Sequence, residues 1–136
     1  MRQGSDHLFV YGTLRKGFSL HSFLGNREVR FVGYGRIPGL LYDLGEFPGA
    51  VPAASGGEVE GELYELLGGE AQLKKLDALE EFYPEKPQQS LFFRRSTFVT
   101  LRNGAKVEAW AYFVSQLPPE ARIVPSGDYA EARRSR

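Results

Sequence analysis

The sequence predicts an α+β protein, a strongly curved, glycine-kinked sheet carrying one substantial helix. Three observations predict it. In EVEGELYEL, Glu58 to Leu66, the residues Val59, Gly61 and Leu63 alternate with Glu58, Glu60 and Glu62, the two-residue period of a half-buried strand. Leu91 to Val114 sets apolar and aromatic runs on either side of Asn103-Gly104, a strong hairpin-turn signal. GEAQLKKLDALEEFY, by contrast, spaces its leucines as a helix does, and a helix is expected over Glu70 to Phe82.

The other elements follow in chain order. Leu8, Phe9 and Val10 read as a buried strand that runs into Tyr11-Gly12-Thr13. Phe18 to Leu24 places Leu20, Phe23 and Leu24 at helical spacing, with Gly25 to stop a short helix. Val29 to Leu44, punctuated by Gly33, Gly35, Pro38 and Gly39, reads as a bent strand or two short ones. Glu46 to Gly57 is rich in turn residues and reads as a loop. On the second hairpin strand Val107, Ala109, Ala111 and Phe113 share one face, while Trp110 and Tyr112 share the other. Both faces are therefore apolar, as in a central strand or a barrel wall. After Leu117-Pro118-Pro119 the tail is polar and is expected to fray, most of all over residues 130–136.

Composition narrows the class. A chain of 136 residues is expected to form one domain, with enough core to need no metal or disulfide staple. Seventeen basic and seventeen acidic side chains cancel, so no overall field draws it to nucleic acid or anionic membrane. The absence of cysteine excludes disulfides, thiolate metal sites and a cysteine nucleophile. No apolar run approaches the roughly 18 residues of a membrane span, and Met1 to Asp6 lacks the apolar core of a secretory signal, so a soluble, cytoplasmic protein is expected.

The helix carries the first chemical clue. At about 100° per residue, with Leu73 at zero, Leu76 falls at about −60°, Tyr83 at about −80° and Leu79 at about −120°. Glu80 falls at about −20°, inside that apolar stripe. Lys74, Lys75, Asp77 and Glu81 are expected to be solvated charges. A carboxylate facing inward must be paired, hydrogen-bonded or functional. Desolvation would raise its pKa toward the range in which it can both take and return a proton. The structural alternative is a glutamate near the helix end that reaches out to solvent or pairs with an arginine such as Arg94 or Arg95.

The second clue is YGTLRKG. A strand ending in Gly12-Thr13 can turn several backbone N–H groups toward one point, a concavity suited to a carboxylate or an oxyanion. Gly12 allows close approach, and Arg15 and Lys16 add positive potential. The structural alternative is an ordinary strand-to-loop turn with solvated bases. Other candidates are weaker. Gly33 to Gly39, GYGRIPG, lacks the spacing and following helix of a dinucleotide loop. His7 and His21 have no partners at metal-ligand spacing, and no GxSxG elbow exists. Glu58, Glu60 and Glu62 are expected to form a solvated strand face. The terminal arginines are too few to argue for nucleic acid.

Together these residues resemble the γ-glutamylcyclotransferase-like, AIG2-like family. Tyr11-Gly12-Thr13-Leu14-Arg15 is similar to its YG(S/T)LR signature. Gly39 to Gly45 with Phe47 to Val51 is similar to its LYDLG and PG-A stretch, and Val59 to Tyr64 to its V-x-GELY strand. Leu76-Asp77-Ala78-Leu79-Glu80 resembles the LDxxE helix whose glutamate is the family's catalytic residue; Arg94-Arg95, Ala109 to Tyr112 and Pro125 to Tyr129 follow in family order. The chain departs at Glu81, where glycine is frequent, at Phe93, where tyrosine often precedes the arginine, and at Tyr129, where tryptophan is common.

The resemblance implies a small mixed β-barrel with one main helix and short flanking helices. It implies an enzyme that closes a γ-glutamyl compound into 5-oxoproline and releases the amine. Glu80 would be the general acid and base, and Tyr11, Gly12, Thr13, Leu14 and Arg15 would bind substrate. No metal or organic cofactor is expected, and the expected partner is a small γ-glutamyl molecule rather than nucleic acid or membrane. Two other readings stay open: a binding module that keeps the pocket without turnover, and an enzyme that removes a γ-glutamyl cap from a biosynthetic intermediate.

Overall fold

The alternating segment at Glu58–Leu66 forms strand β5, the hub on which the architecture closes. In the computed structural model, which describes residues 7–12, 29–45, 47–53, 56–79 and 91–129, the other elements are β1 (His7–Val10), β2 (Val29–Pro38), β3 (Leu40–Asp43), β4 (Pro48–Val51), α1 (Gly69–Leu79), β6 (Phe92–Leu101), β7 (Lys106–Val114) and β8 (Arg122–Ile123). Strands β1-β5-β2-β6-β7 make a closed barrel. Four of its contacts are antiparallel, and the fifth, β1 against β7 through Leu8 and Trp110, is parallel, so the barrel is mixed. A second, antiparallel sheet has the order β4-β3-β8. Among the described residues no helix is long and apolar enough to cross a membrane.

Strand alternation sorts the core into two clusters. Phe9, Val59, Leu63, Val99, Ala109, Ala111 and Phe113 fill the barrel, joined by Leu41, Ala50, Val124 and Tyr129 from the second sheet and the segment after it. The opposite strand faces send Leu8, Val10, Tyr64, Leu66, Phe92, Tyr112 and Val114 outward, where Leu73 and Leu76 of α1 cover them. The two apolar faces expected of the second hairpin strand are thus the inside of the barrel and the floor beneath the helix. At Gly61 an added Cβ would collide with the Val10 carbonyl and the Phe9 ring, so glycine is what lets β1 lie tightly on β5 while Phe9 fills the interior.

Several expectations need correction. The region 29–44 follows its two-strand alternative, as β2 and β3, but the loop expected over 46–57 contains β4, paired with β3 from Leu40↔Val51 to Asp43↔Pro48. The segment after Pro119 does not fray as a whole: β8 pairs with β3, and Val124 and Tyr129 are buried. Glu62 is not part of a solvated face. It is 3% exposed, on the strand face it shares with Tyr64 and Leu66, which pack in one cluster with Leu73 and Leu76 of α1. Asp77 is not a solvated helix charge either, being 7% exposed. The helices expected over 18–24 and beyond Leu79 lie outside the described residues, as does the tail from residue 130.

Candidate active site

The site is built where the end of β1 meets β4, β5, β7 and the floor of α1. Tyr11 follows the last residue of β1 and is 6% exposed. Its hydroxyl donates to the Tyr112 carbonyl at 2.6 Å and accepts from the Ala50 N–H at 3.0 Å. One phenol thereby ties β1 to β7 and β4. The next residue, Gly12, is buried against β4: a Cβ there would stand 2.7 Å from Pro48 Cγ. Only a residue without a side chain lets the chain leave β1 this close to Pro48.

Beside this bend, Val10 pairs with Glu62 across the β1–β5 ladder. The Glu62 carboxylate accepts a 2.9 Å hydrogen bond from Tyr64 two residues on, on the same strand face. Burying a carboxylate costs free energy unless such donors replace water.

The helix opens on two glycines. Gly69 takes φ +64°, and the Gln72 side-chain oxygen turns back to accept from the Gly68 N–H at 2.9 Å, satisfying a donor at the helix entrance. Its inward face is Gln72, Leu73, Leu76 and Asp77, whereas Lys74, Lys75 and Ala78 are exposed. Asp77 is held from two strands. Arg94 of β6 donates through Nε to Oδ1 at 2.8 Å and through a terminal nitrogen to Oδ2 at 3.2 Å, a two-pronged pair. The Tyr112 hydroxyl of β7 donates to Oδ1 at 2.6 Å. Arg94 also lies over the Trp110 ring, 4.5 Å from its centroid, which adds a cation–π contact on the outer side of the barrel.

Of the residues expected to form the site, Tyr11 and Gly12 are described and adjoin one another at the bend. Thr13, Leu14, Arg15 and Glu80 lie outside the described residues, as does His21. Arg94, offered as a structural partner for Glu80, is engaged by Asp77, and Arg95 is exposed. Tyr129 is 1% exposed within the barrel cluster. Sequence reading missed Glu62, Asp77 and Tyr112. A signal for Asp77 was present: at about 100° per residue it stands about 40° from Leu73, next to the stripe, although its charge suggested water.

The sequence profile of the family described as "Gamma-glutamyl cyclotransferase, AIG2-like" matches residues 8–131. The chain belongs to that family. This places it in a family of enzymes. A Methanocaldococcus jannaschii protein named provisionally as a gamma-glutamylcyclotransferase is 34% identical over 133 residues, covering 94% of this chain and 98% of its own. A Niallia circulans protein named gamma-L-glutamyl-butirosin B gamma-glutamyl cyclotransferase is 32% identical, over 95% of this chain and 73% of its own. Among solved structures the chain is similar to the Escherichia coli protein ytfP, with a TM-score of 0.63 and 29% identity, over 93% of this chain and 98% of that one. The γ-glutamylcyclotransferase fold is therefore the one this sequence adopts, with its mixed five-stranded barrel and its helix on the outer wall.

Proposed function

We infer that the chain acts as a single cyclotransferase domain on a small γ-glutamyl compound, converting it to 5-oxoproline and a free amine. The α-amino nitrogen of the substrate attacks its own γ-carbonyl carbon. A new C–N bond closes the five-membered lactam, the γ-amide C–N bond breaks, and the proton lost by the attacking nitrogen ends on the departing amine. The atoms of the γ-glutamyl compound equal those of 5-oxoproline plus the amine, so the cleavage consumes no water and involves no oxidation or reduction. Because nucleophile and electrophile share one molecule, the protein's tasks are to fold the substrate, move a proton and hold charge.

Glu80 is the group to move that proton, from the α-nitrogen to the leaving nitrogen. The observation that carries this role is the inward face of α1. Gln72, Leu73, Leu76 and Asp77 are buried there, and the helical phase of Glu80, about 20° from Leu73, falls inside the sector they span. That Arg94 is occupied by Asp77 also weighs against the ion-pair alternative for Glu80. The backbone after Tyr11 is the proposed cradle for substrate oxygens. Gly12 brings it close, and Thr13, Leu14 and Arg15 continue it. The relative named for γ-L-glutamyl-butirosin B supports a second reading, in which the departing amine belongs to a larger capped intermediate.

The test is a product screen. The protein is incubated with γ-glutamyl amines, γ-glutamyl amino acids, ε-(γ-glutamyl)lysine and γ-glutamyl-capped aminoglycosides, and 5-oxoproline is measured. At least one class should turn over, and Glu80→Gln should lower that turnover by about 10²–10⁴-fold. Binding without product across the panel would favour a module without turnover. Full activity in Glu80→Gln would remove Glu80 from the reaction.

A further inference from the structure

We propose that Asp77 is a positioning residue for the proton-transferring group, fixing the last turn of α1 against the bend at Tyr11-Gly12; this rests on the reading of Glu80 given above. The observation is a set of hydrogen bonds, linked through Tyr112, that joins α1, β6, β7 and β4 to the end of β1. Arg94 and the Tyr112 hydroxyl both grip the Asp77 carboxylate, at 2.8 Å and 2.6 Å. The main-chain carbonyl of the same Tyr112 accepts from the Tyr11 hydroxyl at 2.6 Å, and that hydroxyl accepts from Ala50 N–H at 3.0 Å. A single residue, Tyr112, therefore touches the helix with its side chain and the substrate-side bend with its backbone.

Stability alone gives a poor reason for this arrangement. The Asp77 and Arg94 side chains are 10% and 19% exposed, and taking both charges from water costs much of what their attraction returns. An apolar pair of the same volume would cover the barrel about as well. It would not fix direction, whereas a two-pronged carboxylate–guanidinium pair with a third, phenolic donor specifies both the rotation and the axial position of the helix. Asp77 precedes Glu80 by three positions in the sequence, and Glu80 directly follows Leu79, where α1 ends. A helix free to slide or roll beneath its leucines would shift the chain that leads from Leu79 into the acid group, and a displacement of about 1 Å is enough to cost about 10²-fold in rate. Since the acid group acts in the reaction rather than in ground-state recognition, the loss belongs in kcat rather than KM.

The experiment is a double-mutant cycle between Asp77→Asn and Glu80→Gln, with kcat and KM measured on the best substrate and the folded fraction of each variant checked by circular dichroism. Asp77→Asn alone should lower kcat by about 10–100-fold with KM within about twofold. In the Glu80→Gln background it should lower kcat by less than about twofold, because the group it positions is already gone. An unchanged kcat in Asp77→Asn, or an equal loss in both backgrounds, would overturn the proposal while leaving the role of Glu80 standing. Full activity in Glu80→Gln would instead overturn the reading beneath it. If Asp77→Asn does not fold, Tyr112→Phe decides the matter. It removes one hydroxyl and keeps the backbone bond to Tyr11, and it should lower kcat about 3–10-fold in the wild-type background only. The same loss in both backgrounds would overturn the proposal.

Discussion

The inside of the barrel and its helix-covered outer wall are built from the same strands and differ in kind. The interior holds Phe9, Ile37, Val59, Leu63, Val99 and Phe113. The outer wall holds the three buried polar or charged residues found among those described, Glu62, Gln72 and Asp77. Each is hydrogen-bonded, to Tyr64, to the Gly68 N–H, and to Arg94 and Tyr112. The difference teaches where to look for chemistry. Dense apolar packing closes the barrel, whereas desolvated polar groups with directed partners gather on the side facing α1 and the end of β1.

Two substitutions test that division, the stronger first. Leu63→Ala empties part of the barrel and should cost about 2–5 kcal/mol of unfolding free energy, read by urea denaturation. The kcat of the remaining folded protein should stay within about twofold of wild type if the interior is purely structural. A large fall in kcat at full folding would erase the distinction between the two regions. Tyr11→Phe removes the hydroxyl joining β1, β4 and β7 and leaves the Ala50 N–H and Tyr112 carbonyl short of a partner. It should cost about 1–3 kcal/mol by the same measurement. A cost near zero would mean that the bend is held by its neighbours alone.

The same division explains what could be read from the sequence. Regular, local patterns were legible. The alternation of β7 gave both of its faces, and the leucine spacing of α1 gave the buried Leu73 and Leu76. The motif from Tyr11 marked the bend where Tyr11 and Gly12 meet β4. Features set by distant partners were not legible. Asp77 looked like a surface charge because Arg94 and Tyr112 lie 17 and 35 residues away. Glu62 looked solvated because the alternation of β5 shows two faces and not what covers the second. The strand β4, PGAV, is four residues long and gains its identity from pairing with β3, so its proline and glycine read as a turn. Tyr129 looked like part of a loose tail until Val124 and Gly127 brought the chain back onto β3 and β5.

The central claim, that the reaction takes place at the end of β1 beneath α1, is tested most directly by titrating ¹⁵N-labelled protein with 5-oxoproline and following the backbone amides. The account predicts the largest shifts at Gly12 and the residues after it and along the last turn of α1, with Val99 and Ala109 inside the barrel nearly still. Shifts concentrated at the exposed aromatic residues of β2, Phe31 and Tyr34, with Gly12 unmoved at saturation, would contradict it.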